Sequence, residues 1–242
     1  MQSAPPTIDE NDRIAALQRL EILDTPAEAA YDRLVLIASK VFQMPIALVS
    51  LVDEERQWFK ARVGLEAQET PREFAFCAHA IHDDGLFVVE DASQDERFHD
   101  NPLVAGDPDI RFYAGAPIPA PTGERLGTLC VIDRKPRTLD PEQREILSML
   151  ALQAAEALVT RQVALTLRDA FNAESSDDRR EALNQVSHEL RTPMTPMMLV
   201  LERLQRRTDD PDLRDELATL RRNLIRLDAA VSATTRTLSG GS

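Results

Sequence analysis

The hydrophobic pattern divides the chain into a mixed front part and a purely helical back part. Asp9 to Leu23 places Ile14, Leu17 and Leu20 on one helical face and stops at Asp24-Thr25-Pro26. A second helix follows, with Tyr31, Leu34, Val35 and Ala38 at helical spacing. Five β-rich runs come next: Ile46–Val52, Gln57–Val63, Leu86–Val89, Phe112–Ile118 and Arg125–Ile132. The last two flank Pro121-Thr122-Gly123-Glu124, which predicts a hairpin turn. Helices before and after a run of strands predict an α+β domain with a central antiparallel sheet.

From Pro141 the strand signals stop and glycine is absent until Gly240. Leu150, Ala157, Ala164 and Phe171 recur every seven residues, a weak coiled-coil signal that an exposed amphipathic helix also produces. The polar stretch Asn172–Asp178, with Ser175 and Asp178 in an N-cap pattern, predicts a hinge or a fresh helix start. Leu183, Val186, Leu190, Met194, Met197, Leu201 and Leu204 then form one apolar seam. After a turn at Thr208–Pro211, Leu213, Leu217, Leu220, Leu224, Leu227, Val231 and Leu238 form another. These are the two arms of an antiparallel helical hairpin. Two helices have little core of their own, so a parallel homodimer closing a four-helix bundle is expected.

Charge removes some partners. The net charge is −13. From Asp177 onward 11 Lys and Arg face 11 Asp and Glu, while the part before it holds 17 against 30. An acidic front without a basic stripe repels nucleic acid and anionic lipid, so neither is expected as a partner. Two cysteines far apart, Cys77 and Cys130, suit a reducing compartment. No apolar run is long enough to cross a bilayer and the N-terminus lacks a leader pattern, so a cytoplasmic location is expected.

One heptapeptide carries chemistry: Ser187-His188-Glu189-Leu190-Arg191-Thr192-Pro193. His188 stands two residues from both Val186 and Leu190, and at about 100° per residue that points its imidazole away from the seam. A lone surface histidine ordinarily does nothing. Here Glu189 adjoins the ring and can take its proton, leaving a nitrogen free to attack phosphorus. Thr192 stands one turn further on, and Pro193, which lacks an N–H, predicts a bend just past the histidine.

This heptapeptide resembles the phosphoacceptor box of sensor histidine kinases, on the first helix of their dimerisation and phosphotransfer domain. The resemblance covers about Asp177 to Leu238 and implies that His188 accepts phosphate and Glu189 acts as the base. It further implies that Thr192 orients the water that hydrolyses the partner's aspartyl phosphate, and that a response-regulator receiver domain is a partner. Pro196, a second proline one turn on, departs from many relatives. The front part resembles the GAF family of sensors over about residues 10–155. The resemblance rests on Ile22-Leu23-Asp24-Thr25-Pro26, Arg56-Gln57-Trp58-Phe59-Lys60, Phe76-Cys77-Ala78-His79-Ala80-Ile81, Phe112-Tyr113-Ala114-Gly115-Ala116-Pro117 and Leu126-Gly127-Thr128-Leu129-Cys130-Val131-Ile132-Asp133. It implies a small-molecule ligand of unknown identity.

The expected layout is therefore a GAF sensor domain over 1–140, a signalling helix over 141–176 and the phosphotransfer domain over 177–242. Cys77, His79 and Tyr113 are the candidate residues of the sensor's pocket. The spacing of Cys77, His79 and His82 also admits a metal site or a thioether-linked bilin, but it matches neither pattern, and a short pocket-lining helix is preferred with no metal. Trp58 is read as a packing residue. No phosphate-cradling glycine loop occurs, so this chain alone is not expected to turn over ATP. Mg-ATP would be bound by a catalytic domain outside it. The chain is expected to be part of a longer kinase. The alternatives are a natural phosphotransfer or scaffold protein without its own ATPase, and a ligand- or bilin-binding sensor whose bundle only dimerises.

Overall fold

The computed structural model describes residues 1–120 and 122–172, with single positions 181, 185, 218 and 225. The chain divides into two compact units, Met1–Val159 and Thr160–Ser242. The described residues of the second unit are helical.

The first unit is built on a six-stranded, wholly antiparallel sheet of order β3-β2-β1-β6-β5-β4. Its strands are β1 (Ile46–Val52), β2 (Arg56–Val63), β3 (Glu69–Pro71), β4 (Phe87–Val89), β5 (Phe112–Pro119) and β6 (Arg125–Asp133). Its helices are α1 (Glu10–Arg19), α2 (Ala29–Phe42), the short α3 (Phe76–Ala80) and α4 (Pro102–Ala105), and α5 (Pro141–Asn172), which runs past the unit's end. The strands match the sequence pattern within a residue at most ends. The three-residue β3 has no apolar run to announce it.

β1 is buried along its whole length because it is covered on both sheet faces and paired on both edges. Its alternate residues feed two cores. Ala47, Val49 and Leu51 join Leu17 of α1, Val35 and Ala38 of α2, and Leu147, Ala151 and Leu158 of α5. Ile46 and Leu48 face the other way, onto Phe76 and Ile81 and onto Val104 of α4. The sheet is thus sandwiched, with long helices on one face and short ones on the other.

Local signals fix the helix ends. Glu10 reaches back to the backbone N–H (3.1 Å) and hydroxyl (2.8 Å) of Thr7, fixing the start of α1. Asp140 and Gln143 form a reciprocal capping box at the start of α5, each side chain accepting from the other's N–H, with Pro141 at the first helical position. α2 ends on Gln43 in the left-handed conformation. Leu150 and Ala157, half of the seven-residue repeat, pack against the unit's own core. For these two positions the repeat records intradomain packing.

Candidate functional site

The short helix α3 lies on the sheet face opposite α1, α2 and α5, and both its ends are tied down. Asn101 donates from Nδ2 to the Phe74 carbonyl at 3.0 Å. Beyond the other end, Arg125 donates to the carbonyls of Ile81 (2.8 Å) and His82 (3.0 Å) while pairing with Asp84. This clamp presses Cys77 onto the sheet.

There Cys77 meets side chains from β1, β5 and β6. The hydroxyls of Tyr113 and Thr128 donate to its sulfur at 3.3 and 3.2 Å, and are themselves 3.3 Å apart. Ser50 and Cys130 are the other polar neighbours that act on this sulfur. Ser50 in turn donates to Gln57 Oε1 at 3.3 Å, and Gln57 Nε2 donates to Thr70 at 2.6 Å. Polar side chains, buried except at Thr70, therefore stand across the sheet from β3 to β5 beneath α3. The backbone leaves room for them at Gly115, where a Cβ would collide with the Tyr113 hydroxyl.

Burial penalises a thiolate at either sulfur. At Cys77 the polar groups of Cys130, Ser50, Thr128 and Tyr113 outweigh it and draw the thiol below the ordinary range. At Cys130 burial pushes the thiol up, and the proton shared toward Cys77 keeps it there. Burial likewise raises the Tyr113 phenol, which remains a donor at neutral pH.

Of the three residues expected in the sensor's pocket, the structure brings Cys77 and Tyr113 together and leaves His79 outside their network. The His79 ring joins an aromatic cluster, edge-on to Phe98 at 4.9 Å and stacked near Phe87 at 6.1 Å. Phe76 stacks between Phe98 and Tyr113, at 4.0 and 5.2 Å. These rings fill the space between α3 and the sheet. His79 Nε2 is 3.1 Å from the Gln2 carbonyl and His82 Nε2 3.0 Å from the Pro5 carbonyl, so both hold the N-terminal segment. Burial, partly offset by that carbonyl, holds His79 below the ordinary imidazole range. Cys77, His79 and His82 thus serve different surroundings. Among the described residues, no cluster of three or more such side chains stands ready for a metal ion.

Trp58 packs in the core with α1, α2 and α5, the packing role expected for it. It also flanks Lys60, which the sequence did not single out. The Lys60 side chain is fully enclosed and its ammonium donates to Thr25 Oγ1 and the Pro26 carbonyl, both at 2.8 Å, and pairs with Glu28 at 2.6 Å. Tyr31 and Trp58 offer their ring faces at 5.6 and 5.9 Å. The Asp24-Thr25-Pro26 segment, which follows α1 rather than ending it because the helix stops at Arg19, is thereby fastened to the sheet. Gln57, Thr128 and Cys130 lay within stretches that carry the resemblance but were not read as site residues, and Ser50 was unmarked. Their signal as a site is polarity at inward positions of apolar strands.

His188, Glu189 and Thr192 lie outside the described residues. So do residues 173–178 of the expected hinge and, apart from positions 181, 185, 218 and 225, the helical hairpin.

The fold and the matched segments define the class. Residues 26–158 match the GAF domain, more than half of the chain, and the chain belongs to that family. Residues 178–235 match the His Kinase A (phospho-acceptor) domain, so a GAF domain is followed by a phosphoacceptor domain, the arrangement of a sensor histidine kinase. A curated relative, cyclic di-GMP phosphodiesterase PA2567 of Pseudomonas aeruginosa, is 48% identical over 137 residues. The match takes in 57% of this chain and 23% of that protein, so the chain spans less than a quarter of its relative's length. Among solved structures, the free methionine-R-sulfoxide reductase of Neisseria meningitidis is 16% identical with a TM-score of 0.48, covering 68% of this chain and 99% of that one. The GAF domain of a phosphoenolpyruvate-protein phosphotransferase from Coxiella burnetii is 17% identical with the same TM-score of 0.48, covering 64% and 99%. No helix among the described residues is long and apolar enough to cross a membrane.

Proposed function

We propose that this chain is the sensory and phosphoacceptor part of a two-component histidine kinase. His188 accepts the γ-phosphoryl group of ATP and passes it to an aspartate of a response-regulator receiver domain. The observation that carries this reading is the succession of the two domains, with Ser187–Pro193 inside the phosphoacceptor segment.

The chemistry follows from the residues. A ring nitrogen of neutral His188 attacks the γ-phosphorus, the bond from phosphorus to the ADP oxygen breaks, and the ring proton passes to Glu189. Mg-ATP is held by an ATP-binding domain outside this chain. Thr192 positions the water that later hydrolyses the aspartyl phosphate. Phosphoacceptor domains of this family generally dimerise, and the chain acts as a homodimer. The front domain is the input. A related domain occurs in a phosphodiesterase, which supports a sensing module that can be joined to different outputs. Its ligand is a small molecule, and Cys77, His79 and Tyr113 belong to the region that responds to it.

A split between two reactions tests these roles. The chain is supplied with the ATP-binding domain of its kinase, Mg-ATP and the cognate receiver. Glu189→Gln is expected to slow phosphorylation of the chain strongly. Thr192→Ala is expected to leave it intact and to weaken dephosphorylation of the receiver. Equal effects of both variants on both reactions overturn the assignment.

A further inference from the structure

The segment ahead of α1 lies against α3 and is held there by backbone groups. The Gln2 N–H donates to the Arg97 carbonyl at 3.0 Å. The Gln2 and Pro5 carbonyls stand 3.1 and 3.0 Å from Nε2 of His79 and His82. A carbonyl only accepts, so each imidazole carries its proton on Nε2. Between these attachments Ala4 packs against the apolar cluster that contains Phe76, Cys77 and Ile81. Gln2, Ser3, Pro5 and Pro6 are exposed, and the two prolines have no N–H to give. A segment with so few buried contacts opens at lower cost than the core beneath it.

We propose that residues 2–6 are a strap that closes the interior beneath α3 to small molecules, and that lifting it admits them to Cys77 and Tyr113. The proposal rests on the reading above that this region responds to a small-molecule ligand. The observation that selects a gate over a loose tail is that two anchors of the strap touch the same buried rings. His79 holds Gln2 while its ring lies edge-on to Phe98 and stacked near Phe87. Arg97 receives the other Gln2 bond and spreads its guanidinium over Phe87 and Phe98 at 4.9 and 5.2 Å. A molecule that enters among these rings displaces the anchors, and a lifted strap frees the anchors to move. The strap also leads directly to Thr7, which is fastened to Glu10 of α1 on the opposite face of the sheet. Its release is thereby transmitted from the α3 side to the helical layer.

Access of a small thiol reagent to Cys77, which is 2% exposed, tests the gate without knowledge of the ligand. The full chain and a variant lacking residues 2–6 are treated with methyl methanethiosulfonate, and modification of Cys77 is followed by peptide mass spectrometry. Hydrogen exchange of β1, at the centre of the sheet, reports opening of the whole domain. The expected result is a rise of about tenfold or more in the rate at Cys77 on deletion, with β1 exchange unchanged. His82→Ala removes one attachment and spares the ring cluster. It is expected to raise the rate in the same direction by less, and it decides the matter alone if the deletion variant does not fold. An unchanged rate at Cys77 overturns the gate. Acceleration of Cys77 and β1 in proportion also overturns it, since the segment then only stabilises the domain. Neither outcome bears on phosphotransfer through His188, which is measured separately.

Discussion

Tyr113 donates its hydroxyl to the sulfur of Cys77 at 3.3 Å, joining the start of β5 to α3 within the buried interior. Neither residue has an exposed polar atom to spare, and Thr128 completes the triangle. Tyr113→Phe removes one donor and leaves the thiol with others, so a loss of about 1 kcal/mol is expected. Gly115→Ala pushes a methyl group into the same hydroxyl and is expected to cost about 1–3 kcal/mol through overpacking. Trp58, the single tryptophan and buried in this domain, allows its unfolding to be followed by fluorescence during urea titration. A Gly115→Ala protein as stable as the parent argues against this packing.

Lys60 gives a second test. Its ammonium is fully enclosed and bound by Thr25, Pro26 and Glu28. Lys60→Met keeps the stem and discards the charge that pairs with Glu28. The expected effect is a loss of roughly 1–3 kcal/mol, from charged hydrogen bonds without replacement. The segment around Asp24–Pro26 is also expected to become easier to cleave in limited proteolysis. Unchanged cleavage there contradicts the fastening role.

The front domain was legible wherever burial imposed a period. β1, β5 and β6 alternate between two cores, and their limits follow from the apolar runs. The first helix was expected to run to Leu23 and stop at Asp24-Thr25-Pro26, but α1 ends at Arg19. The lysine that fastens Thr25 and Pro26 was not visible, because Lys60 lies 34 residues after Pro26 and only sheet pairing brings it close. Cys77 and Tyr113 were singled out by type, and the structure adds Ser50, Gln57 and Thr128, whose shared network no local pattern encodes. His79 shows the reverse: next but one to Cys77 in sequence, it faces the N-terminal segment because a short helix turns successive side chains to different sides. The seven-residue repeat left a coiled coil and an amphipathic helix open, and at Leu150 and Ala157 the helix packs on its own domain's core, because both kinds of packing share the same spacing.

Acid should destabilise the domain through Glu10. Burial alone would raise its carboxyl, but hydrogen bonds from Arg13, Arg72 and Thr7 hold it well below the usual carboxylate range. A carboxylate depressed in the folded state stabilises fully above its unfolded value, and that stability is lost as pH falls toward the folded value. The expected loss thus begins near pH 5 and deepens with further acidification. Glu10→Gln is expected to be less stable than the parent at pH 7, by roughly 1–3 kcal/mol, and to lose less on acidification. Urea titrations at pH 7 and pH 4 decide this. Parallel losses in both proteins would show that Glu10 is not the group responsible.

The central claim is that His188 is the phosphoacceptor, and the most direct measurement is radiolabel from γ-labelled ATP. The chain is incubated with Mg-ATP and the ATP-binding domain of its kinase, then divided between acid and base. His79, His82 and His99 belong to the sensor domain, which leaves His188 as the histidine within the phosphoacceptor segment. The expected label is lost in acid, survives base as a phosphoramidate does, and is absent from His188→Gln. Label that persists on His188→Gln, or that survives acid, contradicts the assignment.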